Sequence, residues 1–321
     1  MQRTTRRHQT TMRTLVKTIF LSLWLFLPAL IFGQDDRYAG FWQELATADN
    51  DFSQAATEQG RTEAFLEVLG EGSVLFREGR PVDARELYQI NQTSYRLDQL
   101  SWRGHFIDVS RDGDLGITVG PNIFTPIQEF QDEVERQQSY SHVVNVWHKV
   151  NGDWKLMLDM FARVPGFLSM DVESDYRDTQ QVLAETAPPE MVRDIDLKSL
   201  IDADNRHGIS INFRGGQRAL LRYGLENQRV YLPGMAPGIG AEAGSIAYGR
   251  FLDSRVATTN PITMTYMGGY LSTSKELGYT YGEMTTSEMQ DRSSFRANYL
   301  RIWRFNTSLE WRISMEFLSE F

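Results

Sequence analysis

Leu45–Gly79 reads LATADNDFSQAATEQGRTEAFLEVLGEGSVLFREG, and Leu200–Gly234 reads LIDADNRHGISINFRGGQRALLRYGLENQRVYLPG. The two align without a gap, pairing Leu45 with Leu200, Ala48-Asp49-Asn50 with Ala203-Asp204-Asn205, Gly60 with Gly215, Ala64 with Ala219, Leu66 with Leu221 and Gly79 with Gly234. Downstream, DLGITVG (Asp114–Gly120) is echoed by ELGYTYG (Glu276–Gly282). Val144-Asn145-Val146-Trp147 followed by Asp153-Trp154 returns as Leu300-Arg301-Ile302-Trp303 followed by Glu310-Trp311. Three blocks recurring in one order with little drift in spacing identify a tandem duplication. A chain of 321 residues also divides naturally into two domains of ordinary size.

Within one copy, apolar residues at helical intervals (Phe41, Leu45, Ala48, Phe52, Ala55) predict a long helix from Tyr38 to Glu58, stopped by Gly60. A short helix over Thr62–Leu69 and a strand from Val74 to a turn at Glu78-Gly79 follow. Val82–Ile90 has helical composition behind Pro81, which suits a helix start. The remainder reads as hairpins, one around Asp112-Gly113 and one around Asn151-Gly152, dipeptides that favour the tight turns joining antiparallel strands. Helices first and an antiparallel strand meander afterwards define an α+β domain, its sheet covered by helices on one face. Between the copies, Val164–Pro189 has the composition of a linker with one short helix around Thr179–Glu185.

Strand parity assigns faces. His142, Val144, Val146 and His148 form one set, Ser141, Val143, Asn145 and Trp147 the other. The first set is apolar at its centre, as is its counterpart Asn298, Leu300, Ile302 and Arg304, so both are expected to face the helices. Trp154, Leu156, Leu158 and Met160 form the uniform apolar set of the last strand, which leaves Asp159 on the mixed face, where the two copies would pack on each other as a pseudo-dimer.

Residues 1–34 carry five basic residues and no acidic one, with an apolar run Ile19–Phe32 and then Gly33-Gln34 before Asp35-Asp36. This is the layout of a cleaved secretion signal, and the run is shorter than the roughly 20 residues of a spanning helix. Met12 is an alternative start, and Arg6-Arg7 lie too far from the apolar run to make a twin-arginine signal. The expected division is signal 1–34, first domain 35–163, linker 164–190 and second domain 191–321, in an exported protein, periplasmic or secreted, with no permanent membrane span. Beyond the signal 28 basic residues face 42 acidic ones, a charge of −14, which argues against nucleic acid as a partner. With no Cys, neither disulfides nor a thiol nucleophile are available.

The helix pattern LxxADN, the segment AFLEVLGEGSVLFREG, the hairpin SRDGDLGITVG and the closing VVNVWHKVNGDWKLMLD resemble SnoaL-like domains of the nuclear transport factor 2-like superfamily, over Asp36–Arg163 and more loosely over Asp196–Leu318. The resemblance implies two tandem cones, each a curved sheet wrapped around helices with a pocket at the open end. It does not imply one activity, since the superfamily holds isomerases, dehydratases, polyketide cyclases and non-enzymatic binding modules. The copies differ: Trp102 stands where the second has Met264, and MAPGIGAEAGS is inserted after Gly234, which reads as a surface loop because its glycine spacing is not that of a dinucleotide site.

Five His without ligand spacing argue against a metal, and no cofactor motif is present, so chemistry would have to be acid–base. The resemblance points to a carboxylate, His or Tyr lining the cone. His142 and Asp159 are the catalytic candidates, with Glu316 the counterpart of Asp159. Trp102, Thr118, Tyr140 and His142 in the first copy, and Tyr266, Tyr279, Tyr281 and Asn298 in the second, are the ligand-binding candidates. Three functions fit: a non-catalytic module binding a small apolar or amphipathic molecule, an isomerase-, dehydratase- or cyclase-type enzyme, and a structural or partner-binding protein.

Overall fold

The computed structural model describes residues 32–91, 99–125, 138–166, 168–256, 260–288 and 294–321. Apart from residues 32–34, the proposed signal and the alternative start at Met12 lie outside the described residues.

The first half runs α1 (Phe32–Glu58), α2 (Arg61–Val68), β1 (Leu69–Arg77), β2 (Arg80–Asp83), α3 (Ala84–Ile90), β3 (Gln99–Trp102), β4 (Phe106–Val109), β5 (Leu115–Thr125), β6 (Ser139–Val150) and β7 (Asp153–Val164). After the connecting helix α4 (Tyr176–Glu185), the second half runs α5 (Leu197–Arg214), α6 (Gly216–Tyr223), β8 (Gly224–Tyr231), β9 (Gly238–Ile239), α7 (Ala241–Arg255), β10 (Thr263–Leu271), β11 (Leu277–Thr285), β12 (Arg296–Phe305) and β13 (Trp311–Glu320). One sheet has the order β2-β1-β7-β6-β5-β3, with β4 also on β5, and the other β10-β11-β12-β13-β8-β9. The chain is α+β and built twice. Each sheet is mixed rather than wholly antiparallel, because the strand leaving the second helix lies parallel to the last strand of the meander, β1 on β7 and β8 on β13.

The repeated glycines have a backbone reason. Gly60 and Gly215, with φ of 94° and 79°, break the first helix from the second in each copy, and Gly79 and Gly234 turn the chain with φ of 78° and 75°. These are left-handed values that a side chain would strain. The buried face of α1 carries Tyr38, Trp42, Leu45, Phe52 and Ala56. Ala48 and Ala55, expected on it, are only half-buried at its margin. Pro81 sits inside β2, and α3 begins three residues later behind Asp83, whose carboxylate accepts from the Glu86 amide. The glycine-rich insert is not simply a surface loop. It supplies β9 and the first turn of α7, and Gly238 and Gly244 approach too closely for a side chain between them, a Cβ on Gly238 falling 2.8 Å from the Gly244 Cα.

Three apolar clusters form. One lies between α1, α2 and the first sheet, one between α5, α6, α7 and the second, and the third joins the outer faces of the two sheets. This third cluster contains Val144, Val146, Leu158 and Met160 from the first half and Leu300, Ile302, Met315 and Phe317 from the second. The faces are therefore opposite to the parity reading. The sets of β6 and β12 that are apolar at their centres meet each other, and the mixed sets, including Val143, Trp147 and Trp303, face the helices. Two features explain the inversion. The mixed sets find polar partners among the helices, so facing inward leaves them satisfied. In addition, β7 and β13 each carry a bulge: Val146 pairs with Leu158 but Trp147 with Leu156, and Ile302 pairs with Met315 but Trp303 with Ile313. The extra residue swaps faces along the strand, so Trp154 and Leu156 point to the helices, Leu158 and Met160 to the other half, and Asp159 back inside.

Candidate functional site

The repeated signatures meet in one buried network per half. In the first, the Asp49 carboxylate of α1 accepts from Thr118 Oγ1 (2.6 Å) and Asn145 Nδ2 (2.9 Å), while Trp147 Nε1 donates to Thr118 Oγ1 (3.2 Å). In the second, Asp204 accepts from Thr280 Oγ1 (3.0 Å), Arg301 Nη1 (2.7 Å) and Tyr299 OH (2.7 Å), and Trp303 Nε1 donates to Thr280 Oγ1 (2.9 Å). Helix carboxylate, strand threonine and strand tryptophan are the same device twice. Burial is the main influence that raises the Asp49 pKa, and its hydrogen bonds oppose the shift.

The two networks differ at the position beside the last strand. Register places Asn145 opposite Asp159 and Arg301 opposite Glu316. Arg301, fully buried, donates through Nε to Glu316 (2.7 Å) while also holding Asp204, so the place equivalent to Asp159 is filled by an ion triad with the Tyr248 ring of α7 beside it. Asn145 is too short to do this. Asp159 is 3% exposed, and neither carboxylate oxygen meets a side-chain donor among the described residues. Burial pushes its carboxyl up to about 7, the Arg61 and Arg77 guanidiniums pulling less strongly the other way.

Asp159 lines a cavity of about 530 Å³ in the first half. Leu75, Leu87, Leu100 and Phe124 form apolar wall, Arg61, Arg77 and Arg163 bring positive charge, and Asn122, Tyr140 and Ser141 add polar groups. Arg61 Nε donates to the Tyr88 hydroxyl (2.8 Å). Pro233, Ser319, Glu320 and Phe321 complete the lining, so the second half closes one side of the first half's cavity.

Of the residues singled out from sequence, Asp159 and Tyr140 reach this cavity. His142 does not face the interior. It packs at 5.3 Å on the Tyr231 ring across the joint between halves, and burial, then the charge of His105, lowers its pKa to about 4. Trp102 is in the core against Phe52, and Thr118 is committed to Asp49. Tyr279 and Tyr281 lie at the joint, Tyr279 OH 3.4 Å from His148 Nε2 and Tyr281 edge-on to Phe76. Asn298 spends its amide on Gly79 O (2.9 Å) across the same joint, and Tyr266 is half-buried on the outer strand β10. Arg61, Arg77, Asn122 and Asn145 were not foreseen. Asn145 had a signal, an Asn aligned with Arg301 in the repeated block.

The position of Asp159 makes a pH prediction. The unfolded carboxyl titrates near 3.8 and the folded one near 7, so between those values the folded state keeps a proton that the unfolded chain has released. Its stability then falls as pH rises across that window, by about 1.4 kcal/mol per pKa unit and about 4 kcal/mol at most. Asp159→Asn should match the parent below about pH 4 and exceed it by roughly 2–4 kcal/mol near pH 8. Urea melts at both pH values check this, and equal stability of the two proteins near pH 8 would contradict it.

No family model matches the chain, and no curated protein does. Among solved structures, a ketosteroid isomerase-like protein from Erwinia carotovora atroseptica matches with a TM-score of 0.32 at 14% identity, over 40% of this chain and 97% of its own. A nuclear transport factor 2-like superfamily protein from Salmonella enterica matches with a TM-score of 0.33 at 13% identity, over 41% and 96%. The CaMKII association domain of C. elegans matches with a TM-score of 0.32 at 14% identity, over 39% and 98%. In element order both halves are α+β, helices first and a strand meander afterwards, as the sequence led one to expect. No helix among the described residues is long and apolar enough to cross a membrane.

Proposed function

We propose that this chain is a small-molecule-binding protein with one working site, the cavity of the first half, and that the second half acts as its structural partner. The observation that carries this reading is the contrast between equivalent positions: Asp159 faces a cavity of about 530 Å³, whereas Glu316 is sealed by Arg301. A volume of that order, with apolar wall from Leu75, Leu87, Leu100 and Phe124 beside charged and polar groups, suits a small amphipathic molecule. The test is a thermal-shift screen of amphipathic metabolites against the parent and Leu87→Trp, which narrows the cavity from α3. Hits should raise the melting temperature of the parent and lose that effect in the variant, whereas hits unaffected by Leu87→Trp would place binding elsewhere.

Asp159 favours a second reading, acid–base catalysis of the isomerase, dehydratase or cyclase type. A buried carboxyl titrating near neutral pH beside a cavity can both take and return a proton. Turnover abolished in Asp159→Asn with binding retained would favour it over simple binding. Export belongs to the same proposal, supported by the three-part layout of residues 1–34. Its test is the mass of the mature chain recovered from the exported fraction.

A further inference from the structure

Charge in the cavity runs against charge on the chain. The whole sequence carries −9, yet the cavity lining brings Arg61, Arg77 and Arg163 against Asp159 and Glu320. Arg61 and Arg77 are also the two cations whose charge reaches Asp159. Arg77 and Arg163 are exposed, so they stand toward solvent, while Asp159 lies deep. A neutral apolar ligand would bury Asp159 further without bringing its carboxyl a polar partner, which carries a desolvation cost. An amine would pair with Asp159 but would meet the three arginines.

We infer that the cavity takes a small amphipathic carboxylate, its anionic head beside Arg61, Arg77 and Asp159 and its aromatic or aliphatic body against Leu75, Leu100 and Phe124. This rests on the reading of the cavity as a ligand site and adds the chemical class of the ligand. Guanidinium groups offer paired donors matched to a carboxylate. Protonated Asp159 supplies an O–H donor to the same head, so the anion binds together with one proton. The groups that face Asp159 and set this proton are Arg61 on α2, Arg77 on β1 and Tyr88 on α3, with Tyr140, Arg163 and Glu320 around the cavity from β6, β7 and β13.

Calorimetric titration of the full chain with three probes sharing one body, 1-naphthylacetate, its amide and 2-(1-naphthyl)ethylamine, tests the inference at about pH 5.5 and about pH 8.5. The carboxylate should bind best, and its affinity should fall roughly thirty-fold at the higher pH as the protonated fraction of Asp159 falls. Asp159→Asn, which keeps a donor, should retain carboxylate binding and flatten the pH dependence. Arg77→Met should weaken the carboxylate about tenfold and leave the amide unchanged. If the amide binds as well as the carboxylate, or the amine binds best and more tightly at high pH, the carboxylate assignment is overturned while the cavity remains a ligand site. If none of the three binds, both fall together.

Discussion

Arg301→Ala is expected to destabilise the chain by about 3–5 kcal/mol, the usual consequence of removing one member of a buried ionic cluster. The guanidinium is fully buried between Asp204 and Glu316, and the variant leaves two carboxylates in the interior of the second half without their cation. Burial already raises the Glu316 carboxyl, with Arg301 the main opposing influence. Without Arg301 the buried Glu316 carboxyl should rise further and take up a proton, so the loss should be larger near pH 8 than near pH 5. Glu316→Gln in the same background should recover part of the stability by removing one unpaired charge, giving a coupling energy of about 1–3 kcal/mol in a double-mutant cycle. Urea unfolding of the four proteins provides the numbers. A loss below about 1 kcal/mol for Arg301→Ala would mean that water reaches the triad, and the picture of a sealed second interior would be wrong.

Arg301 also shows how far the sequence could be read. The duplication, the helices-first order of each copy and the linker helix follow from periodicity, turn dipeptides and self-alignment, signals that are local or internal to the chain. β2, β9 and α7 were not legible in this way. The functional face does not follow either, because it depends on which side of β6 and β12 meets the helices. Parity alone gives the apolar set to the core, yet in a duplicated protein there are two apolar destinations, the helices and the other copy. Val144, Val146, Leu300 and Ile302 go to the second. The bulge at Met157 then returns Asp159 to the inside, and no residue type in Trp154–Phe161 announces it. What the sequence did contain was a paired difference in the aligned blocks: Asn145 for Arg301, and Asp159 for Glu316. Read as a cation lost beside a carboxylate retained, that pair identifies the half whose carboxylate is uncompensated. His142 attracted attention because His titrates near neutral pH, but burial against Tyr231 holds it neutral.

Arg304→Met should be the second severe variant, and its effect should appear in both halves. Arg304 of β12 donates to both carboxylate oxygens of Asp108 on β4 and to Val109 O (2.7 Å), and its Nη1 lies 3.5 Å from Glu276. Glu276 in turn accepts from the Arg111 amide at 2.7 Å, so one buried cluster ties the first half's hairpin to the second half's sheet. Met keeps an apolar stem but removes the charge, leaving Asp108 with the Val109 amide as its remaining donor among the described residues. The expected loss is again about 3–5 kcal/mol. The location of the loss separates two cases. If the apolar joint alone holds the halves together, hydrogen exchange should quicken only around β4 and the β12 end near Arg304. If the cluster sets their cooperativity, protection should fall throughout β5, β6, β11 and β12, and urea unfolding should split into two steps. The second outcome is expected, because the buried ionic cluster and the apolar cluster holding Leu158 and Met315 both join the two halves, so loss of one should weaken their coupling. The cavity should respond as well, since Ser319, Glu320 and Phe321 wall it from the second half. A variant that lost stability yet kept full ligand affinity would show that the wall is held by the Asn298 contact to Gly79 and not by Arg304.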